Sequence, residues 1–141
     1  MERVAFEQLV AEGFGAIPKN FREGIKNTVF IVEDEPSEEV RREENLLAGE
    51  TLLGHYFGVP LSERGDSYGI GAVVPDIITL YQKPIEEEAA NLLITKHRVF
   101  SNFEEAVRKV VADTVWHEIA HHFGFDEREV RRREIKQHSD R

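Results

Sequence analysis

The sequence predicts a single α+β domain that covers residues 1–141. Two segments repeat apolar residues at the spacing of a helix, and three short segments are rich in residues that favour β-strands. A chain of 141 residues has the length of one domain and can bury a core, and 40% of its residues are hydrophobic. The absence of Cys excludes a disulfide scaffold and a thiolate zinc site.

The first part of the chain carries a helix signal and then a strand signal. A helix is predicted before Pro18 from the apolar positions Phe6, Leu9, Val10, Phe14 and Ile17. Residues 27–32 favour a strand, which the charged, Pro-containing segment 33–36 ends. Residues 37–46 are charged, and they are interpreted either as a short helix that starts near Ser37 or as a solvated linker.

The central part of the chain is predicted to hold two strands and a helix. Residues 51–57 favour a strand, whereas residues 62–71 are polar and Gly-rich and suit a long loop. Residues 76–82 favour another strand, and Pro84 suits an edge position after it. Residues 86–97 indicate a helix.

The longest predicted helix covers residues 101–123, which no Pro or Gly interrupts. Ser101 and Glu104 fit a capping box, in which Ser101 caps the helix and Glu104 reaches back. Gly124 lies where a left-handed C-terminal cap is expected. The charged tail 127–141 is expected to be a second helix or a frayed end.

This long helix carries the pattern HExxH, in which the defined positions are His117, Glu118 and His121. Positions four apart lie on one helix face, so His117 and His121 can direct two imidazoles at one metal ion. Glu118 lies beside them and is close enough to act on a water molecule at that ion. Two His ligands with a neighbouring Glu general base are the arrangement of zinc peptidases. The alternative is a surface helix that carries these His residues by coincidence.

Two acidic residues after Gly124 are candidate third ligands of the metal. Asp126 and Glu127 follow the predicted helix end at once, and both are plausible zinc carboxylates. The alternative is that both cap a following charged helix, where acidic side chains suit the N-terminal dipole.

The segment HEIAHHFG, followed by acidic residues, resembles the minimal zincin-like metallopeptidase family of bacteria. The similarity extends over most of the chain and includes the segments NTVFIVEDEP (27–36), LLGHYFGVPL (52–61) and PDIITLY (75–81). The resemblance implies a small zincin-like α+β fold, with a short mixed sheet packed against the helix that carries HExxH. It also implies a zinc-dependent peptidase with Zn²⁺ as its cofactor.

The sequence departs from the metzincins, which carry a third His ten residues after the first. Glu127 occupies that place here, where the resembling family typically has an acidic residue. The only Met is Met1, which excludes a Met-turn below the metal. The resemblance therefore implies Glu127 as the third ligand beside His117 and His121, with Asp126 in that role if the turn is one residue tighter.

The remaining His residues are expected to have other roles. His122 faces about 100° away from His121, and it either orients Glu118 or else packs or caps. His55 lies within an apolar strand and is expected to find a local partner. His97 and His138 lie in charged surroundings and are expected to face solvent.

The strand before the helical half of the chain has a possible substrate role. An exposed edge strand can pair with an extended peptide through main-chain hydrogen bonds, and residues 77–82 are the candidate. Tyr81 either donates a hydrogen bond to an oxyanion in the cleft or packs with its hydroxyl at the rim.

Charge and hydropathy limit the classes of binding partner that the sequence favours. The net charge of −9 argues against general nucleic-acid binding and mildly favours cationic or neutral substrates. The N-terminus does not have the pattern of a secretory signal, and no apolar run approaches the ~18 residues of a membrane span. We therefore expect no membrane partner and a cytoplasmic location. The sequence predicts no oligomeric state.

Two functional classes fit these observations. The first is a metallopeptidase that cleaves peptides or flexible protein segments, with Glu118 as the general base. The second is a non-catalytic metal-binding or interaction domain of zincin shape. A purely structural metal site has no chemical need for a Glu beside its two His ligands, so Glu118 favours the enzyme. A third hypothesis is hydrolysis of a small non-peptide amide.

Overall fold

The computed structural model describes residues 1–25, 27–58, 75–96 and 99–124. These ranges contain five helices and three strands, which confirms the α+β prediction. The elements are α1 Arg3–Gly15, α2 Lys19–Arg22, β1 Thr28–Glu33, α3 Glu38–Glu43, β2 Gly54–Phe57, β3 Asp76–Tyr81, α4 Gln82–Thr95 and α5 Phe103–His122. No helix within these ranges is long and apolar enough to span a membrane.

The sheet is mixed, and β3 is its central strand. Its order is β1-β3-β2, with β1 parallel and β2 antiparallel to β3. The prediction that residues 77–82 form an edge strand is therefore wrong. Five of the six β3 residues are buried, as is typical of a strand that is covered on both faces. Among the described strands, β2 lies at the edge and contacts α5, and it is shorter than the predicted strand 51–57.

The chain passes from β3 directly into α4, four residues earlier than predicted. Pro84 lies in the first turn of this helix and is buried, so its assignment to an edge-strand position is wrong. Proline is tolerated there because the first N–H groups of a helix have no intrahelical acceptor. The Gln82 side chain holds the junction, since its Oε1 accepts from Nε of Arg3 at 2.7 Å and its amide donates to the Met1 carbonyl at 2.8 Å.

Both ends of α5 are capped, although the N-terminal cap differs from the prediction. Asn102, not Ser101, caps the helix by accepting from the Glu105 N–H at 2.9 Å. Glu105, not Glu104, reaches back, and hydrogen bonds from the Ser101 N–H and hydroxyl hold the pKa of Glu105 below its ordinary value. At the other end, Gly124 has a φ of +80° and its N–H donates to the His121 carbonyl at 2.8 Å, which confirms the predicted left-handed cap.

The core lies around α5, which packs against α1, α4 and the sheet. The helix buries a row of fully inaccessible side chains, namely Val107, Val111, Val115 and Ile119. The predicted apolar positions of α1 face it, with Phe6, Leu9 and Val10 in the same cluster. A helix that is covered on several sides is held rigidly by packing, which favours accurate placement of the side chains on its remaining face.

The short helices are explained by local signals. Ser37 accepts from the Val40 N–H at 3.2 Å, which confirms the helix interpretation of that segment over the linker. The helix α2 was not predicted because it has only four residues and little apolar periodicity. Its Phe21 nevertheless packs edge-on against Trp116 and Phe123 of the α5 region.

Candidate active site

The two motif histidines converge at the C-terminal end of α5. Their Nε2 atoms lie 3.3 Å apart, and their rings meet edge to face with centroids separated by 4.9 Å. Both side chains are partly exposed, whereas the intervening Glu118, Ile119 and Ala120 are buried. The helix therefore presents the two imidazoles side by side on its accessible face, as the spacing predicted.

The separation of these nitrogens fits a zinc ion. A tetrahedral zinc with Zn–N bonds of 2.0–2.1 Å needs ligand nitrogens roughly 3.3–3.4 Å apart. His117 and His121 meet this requirement in the structure, and neutral imidazole is a common zinc ligand. The donor chemistry and the spacing of this pair are therefore suitable for the metal.

Glu118 lies where β2 comes closest to α5. Its side chain is only 6% exposed. A Cβ atom on Gly54 would lie 3.1 Å from Cγ of Glu118 and 2.9 Å from Cγ2 of Thr114, so a larger residue would push the strand away. Glycine at this position allows β2 to pass directly over Glu118, and the strand and helix thereby form the two walls of a cleft.

Two cavities open on either side of this contact. One has a volume of about 480 Å³ and reaches His117, and the other has a volume of about 250 Å³ and reaches His121. Leu52, Gly54 and Glu118 line both cavities. The Glu118 side chain therefore stands between two spaces, each of which contains one of the motif histidines.

A buried polar network anchors the last turn of α5 to the sheet. Oδ2 of Asp76 lies 2.8 Å from Nδ1 of His122 and accepts from the Tyr56 hydroxyl at 3.0 Å. Asp76 is 2% and His122 is 1% exposed, and the His122 ring also packs edge-on against Tyr56. The packing interpretation of His122 is thus confirmed, and its close buried neighbour is Asp76, which belongs to no motif of the sequence.

One signal in the sequence points to this network, namely that Asp76 is a lone carboxylate at the start of the apolar strand β3. In the structure Gly58 lies close to it, since a Cβ there would meet Oδ1 of Asp76. A buried carboxylate needs donors to balance its lost hydration, so an acid at such a position predicts polar partners. Their identity depends on the tertiary fold.

The other predicted side chains have local roles within the structure. Nε2 of His55 lies 3.2 Å from Oε1 of Glu44, which confirms that it finds a nearby partner. Tyr81 is 1% exposed, so it packs inside the protein, but the prediction that its hydroxyl lies at the rim is wrong. Burial, followed by the charges of Glu33 and Glu118, raises the pKa of Tyr81 to about 12, so its hydroxyl keeps its proton at neutral pH.

The candidate third ligands Asp126 and Glu127 lie outside the described residues, as do His97 and His138 and the loop 62–71. Among residues 1–25, 27–58, 75–96 and 99–124, no set of three His, Cys, Asp or Glu side chains is arranged to hold a metal.

Comparison with known protein families identifies the fold. The model of the zincin-like metallopeptidase family matches residues 25–137, which include β1 to β3, the motif helix and both candidate third ligands. The chain belongs to this family. A search of curated proteins found no significant match.

Removal of one partner of the buried Asp76–His122 pair should destabilise the protein strongly. We expect Asp76→Ala to lower the free energy of unfolding by about 3 kcal/mol or more, because it leaves a buried partner uncompensated. Asp113→Ala removes a half-exposed carboxylate from an ion pair with Lys109 and should cost no more than about 1 kcal/mol. Urea denaturation of both variants measures the difference, and equal midpoints would contradict the anchoring role.

Proposed function

We propose that this member of the zincin-like metallopeptidase family is a zinc-dependent enzyme that hydrolyses peptide bonds in peptides or flexible protein segments. The observation that supports the proposal is the cleft wall at the end of α5. There the Nε2 atoms of His117 and His121 lie 3.3 Å apart, and Glu118 is held between two cavities. A structural metal site would not require that carboxylate between the two cavities.

The metal would be held by His117 and His121, together with a carboxylate from the segment after α5. Glu127 is the first candidate for this carboxylate and Asp126 the second. When bound, zinc supplies a Lewis acid that polarises the scissile carbonyl and lowers the pKa of water.

Glu118 acts as the general base in this proposal. Its carboxylate accepts a proton from the attacking water and later delivers that proton to the leaving amine. Its burial under Gly54 limits competing hydration and keeps it beside the histidine pair. His117 and His121 cannot serve as the base while their Nε2 lone pairs bind a metal.

The peptide is proposed to lie along β2. In the described sheet, β2 pairs only with β3 and passes over Glu118, so an extended chain beside it would cross the histidine pair. Main-chain hydrogen bonds to such a strand are tolerant of sequence. We therefore assign to Gly54–Phe57 the pairing with an extended peptide that was expected of residues 77–82.

Zinc binding tests the ligand assignment. The untagged protein should bind about one zinc per chain, and the double change of His117 and His121 to Ala should remove most of it, because two of its nitrogen donors are lost. His97→Ala is the matched control, since it removes a His outside the motif. Metal analysis by mass spectrometry measures the stoichiometry. Retention of one zinc by the double variant would refute the site.

Glu118→Gln separates an enzyme from a metal-binding domain. The variant should keep its zinc and its fold but lose about 10²-fold or more of its peptide hydrolysis, because the lost group is the base and not a ligand. Glu87→Gln, which makes the same change on the surface of α4, should have no effect.

A peptide-library assay with mass-spectrometric detection measures this loss. Equal cleavage by wild type and Glu118→Gln would indicate a contaminating protease. Absence of cleavage by either protein would favour a non-catalytic metal-binding or interaction domain.

The third ligand is tested by separate changes of the two acidic residues. We expect Glu127→Ala to weaken zinc binding by 10-fold or more, and Asp126→Ala to weaken it less, because Glu127 lies ten residues after His117. Competition with a chromophoric chelator measures the affinity, with Glu104→Ala, an exposed Glu at the far end of α5, as the charge-matched comparison. If neither change weakens binding, the third ligand is Glu129, Glu134, His138 or a water.

A further inference from the structure

The larger cavity beside Glu118 combines apolar walls with acidic side chains. It lies between α4, α5 and the segment that leads into β2. Its apolar surface comes from Leu52, Leu53, Leu92 and Val110. Its volume of about 480 Å³ is within the range of sites that hold small ligands, so it has ample room for one long side chain.

The charge lining this cavity has a single sign. Glu88 on α4 and Asp113 on α5 contribute carboxylates, and Glu118 contributes a third at the end near His117. The described residues that line the cavity include no Lys or Arg. A cavity of this composition attracts a cation and repels an acidic side chain.

Glu88 is the carboxylate best placed to receive such a cation. Asp113 already forms an ion pair with Lys109 at 2.9 Å, and that Lys does not line the cavity. Glu88 is exposed and makes no ion pair with the other described residues. It lies one helical turn from Leu92, on the same face of α4, so its carboxylate and an apolar wall are adjacent.

We propose that this cavity binds a Lys or Arg side chain of the substrate, with the aliphatic stem against the leucine walls and the cationic end at Glu88. This proposal rests on the proposed peptidase function, because the cavity is assigned to a substrate side chain on the ground that it adjoins Glu118, the proposed general base. Long basic side chains bury their methylene groups against apolar surface while the charged end stays near water and acids. A free α-amine lacks such a stem and would leave the leucine walls unused.

Peptides that carry Lys, the uncharged norleucine or Glu at one position isolate the effect of the charge. Zinc-loaded wild type is given N-acetylated hexapeptides in which each position in turn carries Lys, norleucine or Glu. At one position, kcat/KM should be about three- to fivefold higher for Lys than for norleucine, as a partly exposed ion pair contributes, and lowest for Glu. The preference for Lys should shrink as salt is raised, because the pair is accessible to solvent.

Variants of α4 assign the preference to Glu88. Glu88→Gln should make Lys and norleucine equal, and Glu88→Lys should favour Glu over Lys at the same position. Glu87→Gln is the control, because it removes the same charge from the neighbouring residue, which lines a different cavity. It should keep the wild-type preference. Equal rates for Lys and norleucine with wild type would overturn the proposal, and so would a preference that survives in Glu88→Gln.

A binding measurement keeps the two proposals distinguishable. Zinc-loaded Glu118→Gln is titrated with the same fluorescently labelled peptides, and the affinity for Lys over norleucine is compared with and without Glu88→Gln. If wild type cleaves no peptide but this binding preference depends on Glu88, the cavity assignment stands and the peptidase proposal fails. If wild type cleaves peptides and neither measurement shows a preference for Lys, the peptidase proposal stands and the cavity assignment fails.

Discussion

The close packing of β2 against α5 at Gly54 is the constraint on which the site depends. With no side chain at this position, the strand comes within van der Waals contact of Thr114 and Glu118, one turn apart on the helix. That contact buries the carboxylate of Glu118 and leaves a cavity on each side of it. A strand held farther away by a Cβ would leave Glu118 exposed to water and would separate the two walls of the cleft.

The Asp76–His122 pair fixes the same contact from the other end. Adjacent residues on a helix face about 100° apart, so His122 can enter the core while His121 remains at the cleft. Tyr56 of β2 joins the pair through its hydroxyl, which ties strand, sheet and helix together at one carboxylate. A buried polar group that loses its partners costs free energy, and a network that keeps them is rigid. The network therefore favours one arrangement of the end of α5.

The sequence predicted the features that local rules control. The helix α5, its Gly124 cap and the convergence of His117 and His121 followed from spacing alone. The predicted N-terminal cap is one residue too early, because Ser and Asn are both favourable cap residues and Ser101 and Asn102 are adjacent. The strand order and the Asp76–His122 pair depend on contacts between residues far apart in sequence. The periodicity of the sequence does not specify such long-range contacts. For this reason the prediction that β3 is an edge strand is wrong.

The position of the histidine pair at the end of a buried helix has an energetic consequence. Val115 and Ile119 are fully buried between and beside the histidines, so the backbone that carries both imidazoles is already ordered by the core. The conformational entropy of this backbone is lost when the protein folds, so it is not lost a second time when a ligand binds. The nitrogens are already at a separation suited to zinc, and only the rotation of two rings remains to be restricted. In the proposed zinc site, core packing around α5 would therefore contribute to metal affinity as well as to stability.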